Sequence, residues 1–175
     1  MDKALAIEEN GAEFLMVFGR AAGGEVRDDG RVRWAIGNSP IDYFNCVFYA
    51  DLAGKEADRE ITASIERMQA HDVPGSWHVG PSMRPTDLGE RLVAHGFEYG
   101  GDDIGMAMDL SALPEETPLP PDLVIERVRD EAHLAEWTAT FGSGFGLRPT
   151  GVRWFGEVLR SSHADPPGVW SASRS

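Results

Sequence analysis

The chain has one cysteine in 175 residues, 16 basic side chains against 29 acidic ones, and no long apolar run. Each scarcity excludes something. A lone cysteine cannot form an internal disulfide, so the cytoplasm is the expected compartment. Cys46 lies inside the apolar run 44–48 and reads as a small buried hydrophobe. A net charge of −13 repels phosphate backbones and anionic lipid, so neither nucleic acid nor a membrane is expected as a partner. No stretch approaches the ~18 apolar residues of a membrane span. The opening MDKALAIEENGAEF carries early acids where a secretory leader would be apolar.

Catalytic motifs are as scarce. His71, His78, His95, His133 and His163 show neither HxxxH nor HExxH spacing, and there is no cysteine pair, so no metal site is expected. GRAAGG at 19–24 lacks the Lys-Ser or Lys-Thr of a phosphate loop, and Gly54-Lys55 is followed by the anionic Glu56. GSGFG at 142–146 follows a helical pattern, not a strand. All three read as turns and helix caps. The adjacent acids Asp102-Asp103 and Glu115-Glu116 read as solvated surface, and no GxSxG elbow occurs. These patterns assign no catalytic residue.

What is present is globular: 42% hydrophobic and 26% charged residues. Residues 3–22 have helical apolar spacing and end at Gly23-Gly24. Asp29-Gly30 is a hairpin signal, after which Val32, Trp34 and Ile36 share one strand face. FNCVFYADL is an apolar strand, and residues 56–70 form a helix with Ala57, Ile61, Ile65 and Met68 on its buried stripe. SWHVG is a short strand; Thr86-Asp87 starts a helix that Gly96 ends; residues 104–110 alternate as a last strand. The fold class is therefore mixed α/β (α+β).

Residues 1–110 form a first domain and the proline-rich 111–122 a stiff linker. Residues 123–161 begin a second domain with the strand LVIERV and two helices, and 162–175 read as a disordered tail. Leu134, Trp137 and Phe141 step along the first of those helices in threes and fours. LVIERV is expected to pair beside the 104–110 strand and cover its edge.

The set SWHVGPSMRPTDLGERLVAHGF, the strand ending MAMDL, then LPEE and the helix ending GFG resembles the N-terminal part of bacterial tandem GNAT N-acetyltransferases, over about 10–149. That resemblance implies a splayed mixed sheet flanked by helices. It also implies acetyl-CoA docked where a central strand runs into a helix, and acetyl transfer to a small-molecule amine. The family's Q/R-x-x-G-x-G/A loop corresponds here to AGKEADRE, which keeps Gly54 but sets Glu56, Asp58 and Glu60 where phosphates would lie. The family's tyrosine acid, four residues before the glycine of the GF element, corresponds to Leu92. The first domain is thus expected to be degenerate, and the chain to be a truncated transferase, inactive alone. Trp137, Phe141 and Phe145 are candidates for a substrate-side wall, against the plainer reading as core. The alternative is a non-catalytic module completed by a complementary chain or a homodimer through exposed Trp154, Phe155 and Trp170.

Overall fold

Helix α1 (Lys3–Ala21) starts where the Asp2 carboxylate accepts a hydrogen bond from the Ala4 amide at 3.0 Å. The chain then turns into strands β1 (Glu25–Asp28) and β2 (Val32–Ile36), joined through Asp29-Gly30. Asp29 Oδ1 accepts from the amides of Arg31 and Val32 at 3.0 and 2.9 Å, which closes the turn. The computed structural model describes residues 2–114, 118, 120–161 and 170–174, the last five by backbone alone. They fall into two units, Met1–Ala107 and Met108–Ser175.

The amides of Val32 and Arg31, then the Arg27 guanidinium, lower the Asp29 carboxyl from its ordinary 3.8 to about 2. A depressed native value stabilises the fold above the unfolded value, and that contribution fades as pH falls from about 4 towards 2. Asp29→Asn keeps the acceptor but cannot titrate. Denaturant titrations over this window are expected to show a shallower acid loss in the variant, and identical slopes would overturn the assignment.

Strand β3 (Asn45–Ala50) feeds helix α2 (Gly54–Ala70), which leads to the two-residue strand β4 (Ser76–Trp77) and helix α3 (Leu88–Ala94). The sheet order is β1-β2-β3-β4, antiparallel except for the parallel β3–β4 pair. This is a mixed α+β unit with a mixed sheet flanked by helices. On one face Val32, Trp34, Ile36 and Val47 pack with Ala57, Ile61 and Met68 of α2 and Leu88 and Leu92 of α3. On the other lies α1, whose Gly19 sits so close that an added Cβ would be 2.8 Å from that of Ala35. A bulge between Arg33 and Trp34 shifts the β2–β3 register. Strand β4 meets β3 at Cys46↔Ser76 and Val47↔Trp77, and further along, the Arg84 amide donates to the Ala50 carbonyl at 2.9 Å, with a bridge at Asp51↔Arg84. In between, the Glu8 carboxylate of α1 accepts hydrogen bonds from the Ser82 amide at 3.1 Å and from the Ser82 hydroxyl.

In the second unit, β5 (Leu123–Arg127) pairs antiparallel with β6 (Trp170–Arg174), from Leu123↔Arg174 to Arg127↔Trp170. Helices α4 (Glu131–Gly144) and α5 (Pro149–Ser161) form a helical hairpin. Asp130 caps α4 by accepting from the His133 amide at 2.8 Å.

Three sequence expectations are corrected. Residues 104–109 are not a strand, and Leu110–Ala112 is a single 3-10 turn. Alternation shows that a segment can be a strand, but a strand exists only where a neighbour accepts its hydrogen bonds. For the same reason β5 does not pair with 104–110; its partner is β6. The stretch 162–175 is not uniformly structureless, because 170–174 is β6. Residues 162–169 and 175 of that stretch lie outside the described residues, as do Glu115, Glu116, Thr117 and Leu119 of the linker.

Candidate functional site

Strand β3 is an interior strand that runs directly into α2, so the start of α2 is where the resemblance puts a cofactor's pyrophosphate. Free amides at a helix start attract anions. Here the chain's own side chains occupy the position. Glu56 Oε2 accepts from the Ala53 amide at 3.2 Å and from Arg31 Nη2 at 2.8 Å. The Arg31 guanidinium, then the Ala53 amide, holds this carboxyl below the usual carboxylate range. Arg91 of α3 reaches over the first turn. It donates to the Gly54 carbonyl at 3.3 Å and to both Asp58 oxygens at 3.0 and 2.8 Å, and pairs with Asp87 at 2.9 Å. A Cβ on Gly54 would lie 3.0 Å from Arg91 Nη2, which shows how closely the guanidinium covers the helix start. Glu60 is paired with Arg27 at 2.8 Å. Three acids therefore lie in the first two turns of α2, and each is already matched to an arginine of the same chain. A bound diphosphate would displace Glu56 from Ala53 and meet two more carboxylates. The residues present do not fit acetyl-CoA at this position.

The second position that the resemblance marks is Leu92. Leu92 is buried in the core beside Leu88 and Ile61. It has no proton to give, and its surroundings would not bring one to it.

Other chemistry-bearing side chains are placed as follows. His78 is partly buried, with the Tyr43 ring edge-on at a centroid distance of 5.0 Å. Burial pushes its imidazole below the ordinary value, opposed by Asp103 and Asp42. No hydroxyl or thiol nucleophile is hydrogen-bonded to it among the described residues. Cys46 is fully buried, and desolvation pushes its thiol far up, so it is a packed, inert group. His95 Nδ1 lies 2.8 Å from the Arg91 carbonyl and finishes the end of α3. Two shallow depressions of about 330 and 300 Å³ flank His95. The first is lined by Ile65, Met68, Gln69, Gly96 and Phe97 as well, and neither assembles a nucleophile with a base. Among the described residues no three His, Cys, Asp or Glu side chains converge as a metal site, and no helix is long and apolar enough to cross a membrane.

The three aromatic candidates do come together. Trp137 stacks on Phe141 at 5.2 Å, and Phe141 meets Phe145 at 4.5 Å. Helical spacing makes this ladder, since four residues is about one turn. Phe155 of α5 stacks on Phe141 at 4.6 Å and is buried with Leu134, Val158 and Leu159. This corrects the expectation that Phe155 is exposed: α5 turns it onto α4. Trp154 is half-buried, and the side chain of Trp170 lies outside the described residues. Trp137 and Phe141 are half-buried, and only Phe145 is exposed.

The sequence displays the acids of α2 but not the arginines that neutralise them, because Arg27, Arg31 and Arg91 come from a strand, a turn and another helix. Comparison with protein families, with curated proteins and with solved structures returns no match to this chain.

Proposed function

We propose that residues 1–107 are a GNAT-like domain whose cofactor position has been converted into a structural salt-bridge cluster, and that the unit supports or shapes an acetyltransferase-like site without performing transfer itself. One observation carries this reading: Glu56, Asp58 and Arg91 close the start of α2, where the pyrophosphate of acetyl-CoA would sit. The order of elements is in keeping with it, since an interior strand leads into a helix and then into a parallel outer strand, β4. Leucine at 92, buried in the core, cannot act as the proton donor that the resemblance puts at this position. On this reading the amine acceptor and acetyl transfer belong to the second unit's kind of domain, and the Trp137–Phe141–Phe145 face of α4 is its substrate side. Phe145 is the member left open to a ligand.

Titration calorimetry of the purified chain with acetyl-CoA tests the proposal. No heat is expected up to millimolar ligand. Micromolar binding would mean that the cluster at α2 opens for the cofactor, and would overturn it.

A further inference from the structure

The His78 amide donates to the Val47 carbonyl at 2.9 Å, so His78 continues β4 alongside β3. Its ring is partly buried, with the Tyr43 ring edge-on at 5.0 Å. Two carboxylates act on the imidazole from other elements. Asp103 belongs to the chain after α3, and Asp42 to the 3-10 turn Asp42–Phe44. Asp103 acts on the Tyr43 hydroxyl as well. Helix α1 sends Glu8 to the chain just after His78, but the Ser82 amide and hydroxyl engage that carboxylate.

Residues 98–107 lie lightly on this surface. All of them are exposed, and none makes a backbone–backbone hydrogen bond among the described residues. One close contact holds the segment. A Cβ added to Gly105 would lie 3.3 Å from two side-chain carbons of Ile7, so the backbone there rests on α1. Asp103, two residues earlier, is the segment's tie to His78 and Tyr43. The side chains of Ile104 and Met106 are 88 and 86% exposed, so they add little burial at the imidazole. What the segment brings to His78 is a negative charge. Gly101, at φ +116, gives the chain before it freedom to change direction.

We propose that residues 98–107 form a strap over the Tyr43–His78 face whose hold is set by the charge of His78: the imidazolium draws Asp103 in and fixes the strap, and the neutral ring lets it loosen. The two events are reciprocal. A nearer anion favours the protonated ring, and the protonated ring favours the nearer anion by the same free energy. Burial opposes protonation of this imidazole, so the strap is loose at neutral pH. It tightens as pH falls through the His78 midpoint, which lies below the ordinary histidine value. Loosening breaks no backbone hydrogen bond, so the segment can open while the sheet stays intact. Release uncovers the Tyr43 ring and the open side of His78.

NMR of the full chain, titrated from about pH 4.5 to about pH 8 across the histidine range, reads both ends of this linkage. The Gly105 amide should shift with the same midpoint as the His78 ring. It should also be more rigid on the picosecond–nanosecond timescale below that midpoint than above it. Asp103→Asn, at an exposed position, should move the His78 midpoint down, and the Gly105 amide should stop following it. Asp42→Asn should also move the midpoint down, because it too removes an anion that acts on the ring, but Gly105 should still follow. A Gly105 amide that neither shifts nor stiffens through the His78 midpoint would overturn the proposal. So would an Asp103→Asn variant whose His78 midpoint is unchanged or raised, or one in which the Gly105 response survives.

Discussion

Replacing Asn45 by alanine should lower the unfolding free energy by about 2–4 kcal/mol, because it strands two buried backbone groups at ~1–3 kcal/mol each. Asn45 is fully buried at the start of β3. Its Oδ1 accepts from the Ser39 amide at 3.1 Å, and its Nδ2 donates to the carbonyls of Ser39, Ile41 and Pro74 at 2.8, 3.3 and 2.8 Å. One side chain thus ties the turn before β3 to the connection between α2 and β4. The Ile41 carbonyl also accepts from the Phe44 amide at 3.2 Å. Alanine leaves the fully buried Ser39 amide and carbonyl without their Asn45 partners. Urea unfolding should show a lower midpoint with an unchanged slope. Asn45→Asp should be no better, since it keeps the acceptor, loses the donors and buries a charge. A loss under about 1 kcal/mol for Asn45→Ala would mean that the hub is not what joins these segments.

Two glycines of the first unit should respond with opposite sign. A Cβ on Gly24 would collide with the carbonyl oxygen of Ile36 and come within 2.9 Å of Gly37 Cα. Both obstacles are backbone of the neighbouring strand and cannot rotate away. Gly24→Ala is expected to cost about 3 kcal/mol or more, as severe overpacking does. Gly11 lies inside α1 with nothing within 4 Å of an added Cβ. There alanine restricts the unfolded chain and favours helix, so Gly11→Ala should add roughly 0.5–1 kcal/mol. Thermal melts of the two variants against the parent give the comparison. If both destabilise equally, the close approach of residue 24 to β2 is not what sets the cost.

Helix α1, the Asp29-Gly30 hairpin, β3, α2 and the helix before Gly96 stand within a few residues of where periodicity and turn chemistry put them. Their signals are local: helical spacing of apolar side chains, an aspartate that closes a turn, a glycine with positive φ at a helix end. Helix α2 begins two residues before the expected start, at Gly54, because Glu56 folds back onto the Ala53 amide and stabilises the added turn. The aromatic ladder of α4 is also a local product, since one helix carries all three rings.

The sequence by itself therefore determined which segments could be helix or strand, which faces are apolar, and that an acid-rich helix start follows the central strand. Tertiary structure alone decided which strand-like segments found partners. Residues 104–110 have the pattern but no strand partner among the described residues, while 170–174 have little pattern and pair with β5. It also decided that Phe155 is buried and that Glu56, Asp58 and Glu60 each meet an arginine. The physical reason is common to all of these. A hydrogen-bonded edge, a buried ring and an ion pair are relations between residues distant along the chain, and their free energy exists only once the fold has brought both members together.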